Sequence, residues 1–234
     1  MKILFSLCFA AYIVHTMLAN RRDDPAHRRF TSGMLLIQTP LFLSACYFAW
    51  QHGAFSRDLV SPLHIGAGLL FGHIVFAASL LITHGVLRDA AAHFLEVGPF
   101  LRFLAETPML MLRFIAVSIT EEIIYRAAAQ PLLTAWTGRP LLSIVIVAIA
   151  FAIVHKHFLK NPPVQSGEFL AFSLLLGGLY YWTHSLSLVV VVHALRNLES
   201  LYLEYLMRTE ELGDAQRALN ALEQTYQSLP GERA

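Results

Sequence analysis

Long apolar runs recur from one end of this chain to the other, and they restrict its fold more than any other feature. Seven can be marked, at about 3–19, 30–50, 63–87, 108–133, 141–159, 168–183 and 186–206. All but the short sixth run approach the ~17–25 residues that a helix needs to cross a bilayer. Backbone groups in lipid find no water, so each run is expected to be a helix. Composition points the same way, with 56% hydrophobic and 14% charged residues. Soluble domains carry roughly a quarter charged residues. The expected fold is an all-α polytopic membrane protein, a multi-pass bundle of about seven transmembrane helices with a four-helix core drawn from the last four runs. Pro40 should kink the second run or mark its packing. An amphipathic piece within 91–104 should lie at the membrane interface.

Three parts follow along the chain. Residues 1–104 hold transmembrane helices without a motif, 105–206 hold the polar residues discussed below, and 207–234 form a polar tail. The first run has some features of a cleaved signal peptide. However, Arg21, Arg22, Arg28 and Arg29 follow it at once, and such clusters stay cytoplasmic, so a retained helix is expected. Sorting the loops by alternation puts Arg21, Arg22, Arg28, Arg29, Arg88, Arg102, Lys156, Lys160, Arg208, Arg217 and Arg233 on one side. Lys2, Arg57 and Arg139 fall on the other. The excess of positive charge then places the C-terminal tail in the cytoplasm and the N-terminus outside. Within the tail, LGDAQRALNALEQTYQSL has helical spacing with Gly213-Asp214 as a cap, and a short cytoplasmic helix with a frayed end is expected.

The formal net charge is +1, and no basic stripe carries interleaved aromatics, which sets nucleic acid aside. Cys8 and Cys46 both sit in apolar runs and read as small packing residues. The expected surroundings are the lipid bilayer. The sequence does not speak to oligomeric state.

Inside this apolar frame the segment SITEEIIYRAAAQ places Glu121, Glu122 and Arg126 in one span. Intramembrane charges are expensive, so each is a candidate for function. Glu122 and Arg126 are four apart and share a helix face, where they can pair. Glu121 lies about 100° around the helix from its neighbour and is left to point elsewhere. An ion pair that only locks two helices is an equally good reading of this spacing alone.

Two further spans carry polar residues. FAIVHKHF puts Phe151 and His155 on one helix face, with His157 pointing roughly the other way as an interfacial residue. LVVVVHALRN puts His193 and Asn197 on one face, with Arg196 and Glu199 near enough to pair. Alone, each is explained by core packing or by an interhelical hydrogen bond of about 1 kcal/mol. Together they supply a carboxylate, two histidines and an amide, the groups that activate water and stabilise an oxyanion. Glu121, His155 and His193 are also of the types that hold a zinc ion with an open position. By contrast, His64, His73, His84 and His184 lack partners at helical spacing and read as interfacial or packing residues.

The three motifs resemble those of the CPBP intramembrane proteases, also called the CAAX protease and bacteriocin-processing, or Abi, family. Its pattern of Glu-Glu-x-x-x-Arg, Phe-x-x-x-His and His-x-x-x-Asn stands here as EEIIYR at 121–126, FAIVH at 151–155 and HALRN at 193–197. The resemblance covers about 105–205 and departs at Val189, where eukaryotic-type members often carry Phe. It implies an intramembrane endopeptidase of metalloprotease type. In that reading Glu121 is the general base, His155 holds and polarises the water, and His193 with Asn197 stabilises the oxyanion. Glu122 and Arg126 orient the site. A zinc ion on Glu121, His155 and His193 and a metal-free glutamate mechanism both stay open. So does a non-catalytic relative acting as a bacteriocin-immunity factor or scaffold. A proton-coupled carrier would show an internal repeat or broken helices, and haem ligation by the two histidines would leave Glu121 unexplained. The substrate class implied is a membrane-associated or prenylated peptide, cut near its C-terminus or close to the membrane.

Overall fold

The computed structural model describes residues 1–21, 32–55, 60–95, 97–155 and 157–228. Among these the chain is helical, without strands. Three helices come first, α1 (Lys2–Arg21), α2 (Ser32–Gln51) and α3 (Pro62–His84). Two short ones follow, α4 (Leu87–Leu95) and α5 (Val97–Glu106). α6 (Pro108–Glu122) runs into a π-helical segment, Ile123–Ala129, and on into α7 (Gln130–Thr137). The last four are α8 (Pro140–Val154), α9 (Pro163–Thr183), α10 (Leu186–Leu212) and α11 (Ala215–Ser228).

Several starts have a local cause. Proline stands at the first or second position of α3, α6, α8 and α9, where its missing N–H is not needed. Ser185 caps α10, its hydroxyl accepting from the Leu188 N–H at 3.2 Å. Gly213 ends α10 with φ 65°, a left-handed conformation that glycine adopts without strain. Pro40 lies inside α2, which continues through it.

By length and composition, three helices can cross a membrane among the described residues: Lys2–Asn20, Pro62–His84 and Leu186–Leu212. A fourth counts if the bent pair Val97–Glu106 and Pro108–Thr137 is one span. The count of seven is not reached by this measure. One reason is visible at α8, which stops at Val154 instead of running to 159. At about 1.5 Å per residue a helix of this length is shorter than the ~30 Å hydrocarbon core. The expected amphipathic piece appears as α4 and α5, and α5 turns from α6 by 99°. Of the basic residues used for orientation, Arg22, Arg28, Arg29, Arg57, Lys156 and Arg233 lie outside the described residues.

The largest buried cluster joins α1 and α2 to the later helices. Phe5, Leu41, Ala45 and Phe48 pack with Tyr125, Ala127 and Ala128 of the π segment, Phe151 of α8, Leu176 of α9 and Val189 of α10. α3 lies along α10 at close range, since a Cβ at Gly68 would stand 2.9 Å from Val191 Cβ. A second cluster holds Phe100, Phe103, Leu110, Leu201, Leu219 and Leu222 together. The expected short helix is thus present as α11 and is docked, and the chain end read as frayed, 229–234, lies outside the described residues. Leu222 of α11 is fully buried, and the Tyr226 hydroxyl donates to Glu204 at 2.8 Å.

Candidate active site

The three charges lie where α6 gives way to the π-helical segment. All seven residues of that segment are buried. A π turn widens the helix, and such turns recur at functional sites. Glu122 Oε2 stands 3.4 Å from Arg126 Nε, with both side chains at 0% exposure. The arginine is held further by α9, where its Nη2 donates to the Ser173 hydroxyl at 3.1 Å and to the Ser173 carbonyl at 3.3 Å. Its guanidinium also sits 4.9 Å from the Phe151 ring centroid. Glu122 reaches the other way, its Oε1 accepting from His193 Nδ1 at 2.8 Å. This buried pair therefore joins α9 to α10 through two charges and one histidine.

Glu121 has the separate direction expected of it. Its side chain is 21% exposed, so it lies at the open side of the cluster. Oε1 is 3.5 Å from His155 Nε2, and Oε2 is 3.5 Å from His193 Nε2.

The tautomers of both histidines follow from their other nitrogen. His155 Nδ1 stands 2.7 Å from the Phe151 carbonyl. A carbonyl only accepts, so Nδ1 carries the hydrogen and a neutral ring presents a lone pair at Nε2. His193 Nδ1 faces the Glu122 carboxylate in the same sense. Two ring acceptors thus flank a carboxylate, itself an acceptor. Such a group of lone pairs is balanced by a hydrogen donor, whether a water or a ring proton.

His155 reaches this position by an irregular route. Spacing predicts that it shares a helix face with Phe151, yet α8 ends one residue earlier and His155 is extended, with φ −84° and ψ 117°. The two rings still meet at 4.5 Å. Because the helix has ended, spacing no longer separates His157. Its ring lies 5.5 Å from that of His155 and 4.8 Å from Phe169, although the residue is exposed.

Asn197 stands one turn beyond His193 on α10, and its Nδ2 donates to the Ser118 hydroxyl at 3.1 Å. The expected pair of Arg196 and Glu199 is not made. Arg196 bonds Glu168 of α9 at 2.7 Å and lies 4.4 Å from the Phe172 centroid. Glu199 bonds His73 of α3, whose other nitrogen meets the Phe94 carbonyl at 2.9 Å. His73 is therefore a bridge from α3 to α4 and α10. His64, also read as unpartnered, meets the Ser185 hydroxyl at 3.0 Å. Spacing along one helix cannot find partners supplied by another.

Ser118, Ser173 and Phe172 carry no motif and were missed from the sequence. Ser118 had one usable sign, its place four residues before Glu122. Nothing along the chain marks Ser173.

Among the described residues, no group of three or more His, Cys, Asp and Glu is arranged to hold a metal ion. Glu121, His155 and His193 are donors of the zinc-binding kind. As placed, the two imidazoles face different oxygens of one carboxylate, each at 3.5 Å. The arrangement does not fit a metal, and no step below runs through one.

Fold and site together define a helical membrane protein with a buried carboxylate–histidine cluster. Residues 103–198 match the family model described as Type II CAAX prenyl endopeptidase Rce1-like. All three motifs fall within that segment, so the resemblance read from them is shown for it. The match supports a protease-type function and, with the apolar helices, an integral membrane protein. No curated protein and no solved structure matches the chain.

Proposed function

We propose that this chain is an intramembrane endopeptidase acting on a membrane-associated or prenylated peptide, near its C-terminus or close to the membrane. The observation that carries the reading is the pair of imidazole Nε2 atoms at 3.5 Å on either side of the part-exposed Glu121 carboxylate. Separations of this size between groups that all accept suit a water that donates to them. That water is the nucleophile.

In the first step Glu121 takes one proton from the water while His155 Nε2 accepts the other hydrogen and orients it. The oxygen adds to the peptide carbonyl carbon, and the carbonyl oxygen becomes an oxyanion. His193, its ring fixed by Glu122 through Nδ1, lines the side of the site where that oxyanion forms. Asn197 has a second amide hydrogen beyond the one given to Ser118, and it donates to the oxyanion. Collapse of the intermediate breaks the C–N bond, and Glu121 returns its proton to the leaving amine. Arg126 compensates the Glu122 charge, which leaves the second carboxylate free to work as a base.

A zinc ion on Glu121, His155 and His193 is the competing source of an activated water. The proposed side of the C-terminal tail is the cytoplasm, a reading supported by the excess of basic residues that the sequence assigns to that side.

The test is cleavage of quenched peptides, prenylated and not, by purified protein in liposomes, with and without a chelator. Wild-type cleavage that His155→Ala abolishes supports the reading. Equal cleavage by His155→Ala refutes it, and loss of wild-type cleavage with chelator assigns the water to a metal.

A further inference from the structure

We infer that Asn20 of α1 is a positioning residue for His155, so that the N-terminal helix, which carries no motif, completes the site. This rests on the proposed role of His155.

The last four carbonyls of an α-helix have no partner within it and must find one elsewhere. The site's own residues satisfy two of them. The Phe151 carbonyl accepts from His155 Nδ1 at 2.7 Å, and the Ala152 carbonyl accepts from the His155 N–H at 3.1 Å. The Val154 carbonyl, which belongs to the peptide bond leading into His155, accepts from Asn20 Nδ2 at 2.8 Å. That donor comes from 134 residues away in the chain. α8 ends without the glycine that commonly closes a helix, since His155 itself is the cap residue and is extended. A side chain from another helix therefore supplies the second bond, beside that of the His155 N–H, holding the peptide plane that sets the direction of the His155 ring.

α1 is seated to do this. Its Phe5 is buried against Phe48, and its Phe9 meets Tyr125 of the π segment at 5.5 Å. Asn20 is thus delivered by a helix packed on the same segment that carries Arg126. Without the amide, the Val154–His155 peptide keeps only the bond from its N–H to Ala152, and Nε2 shifts relative to Glu121. Displacements of ~1 Å at a reacting group lower rates by about 100-fold.

The test uses full-length protein in liposomes with Asn20→Ala and Asn20→Asp. The second keeps the shape and removes the donor. Leu18→Ala, on the exposed side of α1 at 48% exposure, is the control. Cleavage gives kcat and KM separately. Nitrogen NMR of 15N-histidine-labelled protein gives the tautomer of His155, assigned by its loss in His155→Gln.

Both Asn20 variants are expected to lower kcat by about 10–100-fold with little change in KM, and to erode the Nδ1–H signal of His155. Leu18→Ala is expected to match wild type. The inference is overturned if both variants keep the wild-type kcat and His155 signal, or if they only melt earlier with both intact. If the wild type cleaves nothing, the protease reading fails, and the His155 signal alone decides whether Asn20 holds the turn.

Discussion

Replacing Arg126 by methionine probes the buried pair most sharply. The substitution keeps an apolar chain against Phe151 and removes the guanidinium. Glu122, whose side chain is at 0% exposure, then loses its partner at 3.4 Å and keeps only His193. Breaking a buried pair from one side costs about 3–5 kcal/mol, because the remaining charge stays in the interior. Two bonds to Ser173 are lost as well. For a chain of this size each 1 kcal/mol lowers the melting temperature by about 2–4 °C. The expected fall is therefore about 6–20 °C in mild detergent, followed by tryptophan emission. The double variant Glu122→Gln/Arg126→Met leaves no charge behind. It should be more stable than the sum of the single changes by about 1–3 kcal/mol. An Arg126→Met protein that melts within a degree of wild type, or strict additivity of the two changes, would refute the idea that the pair is held together by its burial.

Three further outcomes are expected from the packing. Gly177→Ala places a Cβ 2.9 Å from Ile144 and 3.1 Å from Gln130, whereas Gly178→Ala meets nothing within 4 Å. Melting should show a loss of about 1–3 kcal/mol for the first and little change for the second. Leu222→Ala, at a fully buried position of α11, should cost about 2–5 kcal/mol in the same assay, where an undocked tail would show no effect. Ser118→Ala removes the acceptor of the Asn197 amide, and a fall in kcat without a change in KM is expected in the peptide assay.

The sequence carried the site further than it carried the bundle. EEIIYR, FAIVH and HALRN each contribute to one cluster, because ionisable residues in an apolar run are rare enough to stand out. The different directions of Glu121 and Glu122 are also legible, since the i, i+4 relation to Arg126 marks only one of them. What spacing along one helix cannot reveal is a partner on another. That is why the bonds of Arg196 to Glu168, Glu199 to His73 and Asn20 to Val154 were not foreseen. The π segment was hidden for a different reason. IIYRAAA contains no proline or glycine, and its register comes from burial of all seven residues against the surrounding helices. The early end of α8 had no local breaker either; the bonds made by His155 and Asn20 replace one.

The central claim is that Glu121 is the base that activates water. Glu121→Gln keeps the size of the side chain and removes its basicity, so peptide cleavage in liposomes beside wild type tests the claim directly. A loss of at least about 100-fold in kcat with an unchanged melting temperature is expected. Cleavage by Glu121→Gln at the wild-type rate would contradict it.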